Sequence, residues 1–87
     1  MAAVHLPATV TPLFRDLPRR LEVEATTVAD ALDRLDGRWP GLRDRLCEPG
    51  PALRPHINVY VDRERAALET PVHAHSRIDV VAAISGG

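Results

Sequence analysis

The sequence closes on Ile84-Ser85-Gly86-Gly87, directly after the apolar run IDVVAA. Glycine loses more backbone freedom on ordering than any other residue. Two of them do nothing for a strand that only has to complete a domain, so Gly86 and Gly87 are either a frayed end or a working one. Other groups that could do chemistry are sparser. His73 and His75 lie two apart, so on an extended segment both rings could face one metal ion. No cysteine or carboxylate cluster accompanies them, and a solvated loop is the simpler reading, so no metal site is expected. Cys47 could carry a thioester or a persulfide, but a lone cysteine among apolar neighbours reads as inert and semi-buried. Arg15, Arg19 and Arg20 form a basic cluster without interleaved aromatics, the pattern of a solvated edge or docking rim. No Ser-His-Asp set or pair of carboxylates can be placed, and no catalytic residue is assigned.

Something must hold that end, and 87 residues with a net charge of −1 are enough for one small domain. The charge gives no electrostatic case for nucleic acid or an anionic membrane. VVAAI, the longest apolar run, is far too short to span a bilayer. MAAVHLPATV has no basic start and carries His5 and Pro7 early, so no signal peptide is expected. The single cysteine excludes an internal disulfide and suits a reducing cytoplasm. One Phe, one Tyr and one Trp leave the core to aliphatic side chains. There are 11 basic side chains, all arginine. Coding bias is the simple account of that, but the consequence is chemical: the chain has no lysine to accept an isopeptide bond.

The elements follow from periodicity. AAVHLPATV reads as a first strand, interrupted by Pro12 and RDLPRR. LEVEA alternates, with Leu21, Val23 and Ala25 on one face and Glu22 and Glu24 on the other, a half-buried strand in a hairpin-like relation to the first. Thr27 with Asp30 gives a capping-box-like start to a helix. Val28, Ala31, Leu32 and Leu35 form its apolar face, and Gly37 is expected to end it. Pro40 begins a short second turn with Leu42 and Leu46 on one side and Trp39 beneath. EPGPALRP is a loop by composition. INVYV, residues 57–61, is the clearest strand. DRERAALETPVHAHSR has room for one short edge strand near Leu68. IDVVAAI, residues 78–84, is a central last strand. The helix between the second and third strands can cross one face of a mixed sheet. The expected fold is therefore α+β, a β-grasp: four to five strands and one main helix over residues 1–83, with a flexible tail at 84–87.

INVYVD, the TPV segment and an apolar last strand running into SGG resemble the ubiquitin-like sulfur carriers of thiamine-thiazole, molybdopterin and cysteine biosynthesis. INVYVD is especially similar to the actinobacterial cysteine-pathway carriers. The sequence departs from that family before the last strand, where His75-Ser76-Arg77 replaces a Gly-Asp turn. The resemblance implies a protein that is acted on by enzymes and is not itself one. A partner adenylyltransferase would use ATP to convert the Gly87 carboxylate to an acyl-adenylate, and sulfur would replace AMP to give a thiocarboxylate. A sulfur-accepting synthase would be the second partner, and no cofactor would be bound. Five extended residues span at most about 17 Å, enough to carry the carboxyl into a partner's active site. Ile84, Ser85 and Gly86 would form the tail, and glycines would pass a channel that side chains would block. By strand alternation Tyr60, Val81 and Ala83 face outward beside the tail as a partner-binding patch. A modifier joined through Gly87 to target lysines and a non-covalent β-grasp binding module are the competing readings.

Overall fold

The first alternation on the chain, buried Ala2 and Val4 against half-buried Ala3 and His5, already places one strand between a core and an outer face. A computed structural model describes residues 1–50 and 52–83. The expectations for Ile84, Ser85, Gly86 and Gly87, including a flexible tail, lie outside the described residues. Strand β1 (Ala2–His5) pairs antiparallel with β2 (Arg20–Val23), as the hairpin-like spacing predicts. Helix α1 (Val28–Arg38) and the short α2 (Leu42–Leu46) follow. Strands β3 (Cys47–Glu48) and β4 (Ala52–Leu53) make a small separate ribbon. Strands β5 (Ile57–Val61), β6 (Glu64–Ala66) and β7 (Arg77–Ala82) complete a five-stranded sheet in the order β2-β1-β7-β5-β6. β7 is central, parallel to β1 and antiparallel to β5. The mixed sheet with one main helix is the expected α+β β-grasp.

The core is aliphatic because the composition leaves no alternative. Val4, Val28, Leu32, Leu35, Leu42, Leu46, Val59 and Ile78 are its largest fully buried side chains. Burying one such side chain is worth about 1.5–3 kcal/mol. The predicted apolar face of α1 is the buried one. Thr27 caps it, its Oγ1 accepting from the Asp30 N–H at 3.0 Å. The Asp30 carboxylate reaches one residue further back than a capping box requires and accepts from the Thr26 N–H at 2.9 Å. The remaining first-turn donors go to the loop before β7: Val28 N–H bonds Thr70 C=O at 3.1 Å and Ala29 N–H bonds Leu68 C=O at 2.8 Å.

Several boundaries differ from the expectation. β1 stops at His5, well short of Val10. Gly37 does not end α1, which runs on to Arg38; the stop is Trp39-Pro40-Gly41, with Gly41 left-handed at φ 96°. Asp36 then caps α2 from α1, its Oδ1 accepting from the N–H groups of Gly41 and Arg43, both at 3.0 Å. EPGPALRP is not wholly loop, because β4 lies in it and pairs with β3. The edge strand is Glu64–Ala66, before Leu68. It is joined to β5 by Asp62 and Arg63, both at positive φ (50° and 73°), the tight hairpin geometry that usually selects Asn or Gly.

Candidate functional site

β7 carries the chain from the middle of the sheet to its rim. Ile78 and Val80 are buried and Ala82 is half-buried against the core, so the expected inward face holds. The last described contact is the Ala83 N–H, which donates to His56 C=O at 2.7 Å. Tyr60, Val81 and Ala83 all lie on the outer face. Tyr60 stands opposite Asp79 and Val81 opposite Asn58, so Tyr60 and Val81 are diagonal neighbours. Val81 is 43% exposed, Ala83 is exposed and Tyr60 is half-buried.

The patch is apolar only in part. Asp79 opposes Tyr60 from one side and Arg65 from the other. Arg77 Nε donates to both Asp79 oxygens at 3.0 Å, which neutralises the carboxylate in place. The Arg77 backbone N–H donates to Asp62 Oδ1 at 2.9 Å, tying the start of β7 to the hairpin turn. Where the sequence lacks a Gly-Asp turn, the Ser76 hydroxyl does the work: its Oγ accepts from the His73 N–H at 2.9 Å, and its own N–H bonds His73 C=O at 3.1 Å. Ser76 is buried as a result, while His73 and His75 are exposed on that turn. Among the described residues no three of His, Cys, Asp and Glu are grouped to hold a metal ion.

Sequence reasoning missed a groove at the root of the tail. It has a volume of about 720 Å³ and runs from Val10 and Leu13 to Arg45, Arg54 and His56, with Ala82 and Ala83 on its floor. Leu13 is 52% exposed there. Arg54 is fixed by two bonds to Asp44 C=O, from Nε at 2.9 Å and from Nη2 at 2.7 Å. The only sequence signal was an apolar TPLF inside a polar stretch. Cys47 is buried, and burial pushes its thiol up, partly offset by Arg43. It therefore lacks the thiolate character that acyl or sulfur transfer requires. Arg15, Arg19 and Arg20 are exposed, and Arg19 alone of the three lines a groove that reaches Val81. No helix among the described residues is long and apolar enough to cross a membrane.

A mixed sheet gripping one main helix, with its central strand running to the rim at Ala82, defines a ubiquitin-like β-grasp protein of the carrier and modifier class. The chain belongs to the ThiS family, whose family model matches residues 4–87. It is 38% identical over 83 residues to small archaeal modifier protein 1 of Haloferax volcanii, covering 86% of this chain and 95% of that protein. It is also similar to a chain in the crystal structure of the Amycolatopsis orientalis BexX/CysO complex, with a TM-score of 0.88, 25% identity and full coverage of both chains. The crystal structure of the Haloferax volcanii protein gives a TM-score of 0.77 and 32% identity, over 99% of this chain and 98% of that one.

Proposed function

We propose that this protein is a sulfur carrier. A partner adenylyltransferase, using ATP, activates the carboxyl of Gly87. Sulfide equivalents from a donor displace AMP; the thiocarboxylate sulfur then attacks an electrophilic carbon of an acceptor held by a synthase and displaces its leaving group. Hydrolysis of the resulting thioester frees the Gly87 carboxylate and leaves the sulfur in a product such as cysteine, molybdopterin or a related metabolite. The chain supplies no catalytic residue and no bound cofactor of its own. The observation that carries this reading is the placement of β7, a strand locked in the centre of the sheet whose last described residue stands at the rim. The family match, which extends to Gly87, supports it. A carboxylate cannot be attacked until its oxygen becomes a leaving group, and adenylation provides that. Residues Ile84 to Gly86 then need only reach, and Tyr60, Val81 and Ala83 need only dock.

The likeness to a modifier protein favours one second reading, transfer of the same activated glycine to lysines of other proteins. Lysine-linked chains of this protein on itself are excluded by chemistry, since it contains no lysine and arginine is not a competent acyl acceptor; the α-amino group is the one amine it offers. The test uses intact-mass spectrometry with the activating enzyme, ATP and sulfide. The expected product is a Gly87 thiocarboxylate, and deletion of Gly87 removes it while circular dichroism stays native. Undiminished adenylate on the truncated chain refutes the role of Gly87. Isopeptide conjugates without any thiocarboxylate replace the carrier reading with the modifier one.

A further inference from the structure

The β1–β7 ladder ends early, and the residue that ends it is Pro7. The parity of the ladder is fixed by its flanking bonds. Ala3 N–H donates to Ser76 C=O, while Asp62 N–H donates to Arg77 C=O and Ala83 N–H donates to His56 C=O. Even-numbered residues of β7 therefore turn their backbone groups toward β1, and odd-numbered ones toward β5. Parallel pairing stops at His5↔Asp79, whereas antiparallel pairing with β5 continues to Ala82. The next parallel bond would run from the N–H of residue 7 to Val80 C=O, but proline has no N–H. The Pro7 carbonyl, which would have received the Ala82 N–H, instead accepts from Val10 at 3.0 Å and Thr11 at 3.3 Å. Among the described residues, no turn or loop group bonds Val80 C=O or Ala82 N–H, and the β1 ladder stops at Asp79 before it reaches them.

This stretch of open edge has a groove on each side. On the core side lies the groove that holds Val10, Leu13, Arg45 and His56. On the outer side a second groove, of about 450 Å³, runs between Leu6–Thr9 and Val80–Ala82, with Arg19 on its wall. Among the described residues, the only carboxylate lining either groove is Asp79, which Arg77 already holds. We propose that this edge is a strand-addition site, where a partner protein docks one extended segment of alternating aliphatic and acidic residues against Val80–Ala82. Unpaired strand groups select an extended backbone. Alternation would send one set of side chains to Val10 and Leu13 and the other toward Arg19. The inference does not depend on what the tail carries.

The test is an NMR titration of the isotope-labelled 87-residue chain with a short acetylated and amidated peptide of alternating Glu and Val. A Lys-Val counterpart serves as control. Saturable shifts centred on Val80 and Ala82, slowed exchange of the Ala82 amide and a clear preference for the Glu peptide are expected. Pro7→Val restores the missing N–H, lets residue 7 take Val80 C=O and should weaken binding about fivefold, the worth of one hydrogen bond. Arg19→Glu alters an exposed side chain and should erase the preference for Glu over Lys. Equal binding of both peptides, shifts centred on Asn58 and Tyr60, or no saturable shift would overturn the proposal. So would concentration-dependent shifts of Val80 and Ala82 without peptide, which would assign the edge to a second copy of the chain.

Discussion

Val81 is the side chain on which the proposed docking face can be tested quantitatively. It stands on the outer face of a central strand, yet it is 43% exposed, one of the few large apolar side chains left in water. Full burial of a valine is worth about 1.5–3 kcal/mol, and a little over half of the side chain is already covered by its own fold. The share left for a partner is about 1 kcal/mol, so Val81→Ala should weaken binding to the activating enzyme about fivefold. Val81→Asp acts differently. Next to Asp79, two residues back on the same face, a second carboxylate costs the free fold under about 1 kcal/mol, since both groups face water. In a dry contact it becomes an unpaired buried charge and costs several kcal/mol, a loss of about a hundredfold or more. Isothermal titration of each variant against the activating enzyme, with circular dichroism to confirm the fold, gives both numbers. A native spectrum with unchanged affinity for Val81→Asp refutes the docking face. Equal losses for the two variants would show that packing area, and not desolvation, governs the contact.

Two further predictions concern the scaffold. Asp30 is held below the ordinary carboxylate range, chiefly by the Thr26 N–H, with a further contribution from Arg34. A depressed folded-state value stabilises the fold above the unfolded value and loses that stability as pH falls through the folded one; thermal melts of wild type and Asp30→Asn should therefore differ at neutral pH and converge in acid, and a gap that widens in acid would contradict the assignment. Cys47 is 6% exposed with its thiol pushed up by burial, so iodoacetamide at neutral pH should label the native chain at least about a hundredfold more slowly than the unfolded one; comparable rates would show that the thiol is accessible.

The elements that alternate or repeat cleanly were legible in the sequence. LEVEA, the Val28–Leu35 face and INVYV each showed one period, and each forms the expected type of element, although the strand in LEVEA stops at Val23 and leaves Glu24 and Ala25 outside. What could not be read depends on partners distant in sequence. Gly37 looks like a helix stop, but Leu35 and the buried α2 behind it hold the turn, and an exposed glycine in the last turn is tolerated at about 1 kcal/mol. Asp36 gives no local sign that it caps another helix. Asp62-Arg63 carries no glycine, so the hairpin to β6 left no turn signature; the Arg77 N–H on Asp62 helps hold it. The groove beside Ala82 and Ala83 combines residues 9–13, 45–57 and 82–83, which no periodicity brings together.

The parity of β7 links these observations to the proposed function. Up to Asp79 the strand is paired on both sides, and from Val80 to Ala82 on one side only. Pairing along β7 thus ends in two stages, each set by one residue. Pro7 ends the first ladder by lacking a donor, and His56 closes the second by accepting from Ala83. A carrier needs both properties at once. Its terminal residues must reach into another protein, and the domain must not unravel when they are gripped. A central strand meets the second need, because pulling on its end loads ladders on both edges together with the Ile78 and Val80 side chains under α1. Early release of one edge meets the first, since it sets the point of departure before the last residues begin. The same release leaves Val80 C=O and Ala82 N–H outside the β1 ladder, so the proposed docking and delivery share one strand end.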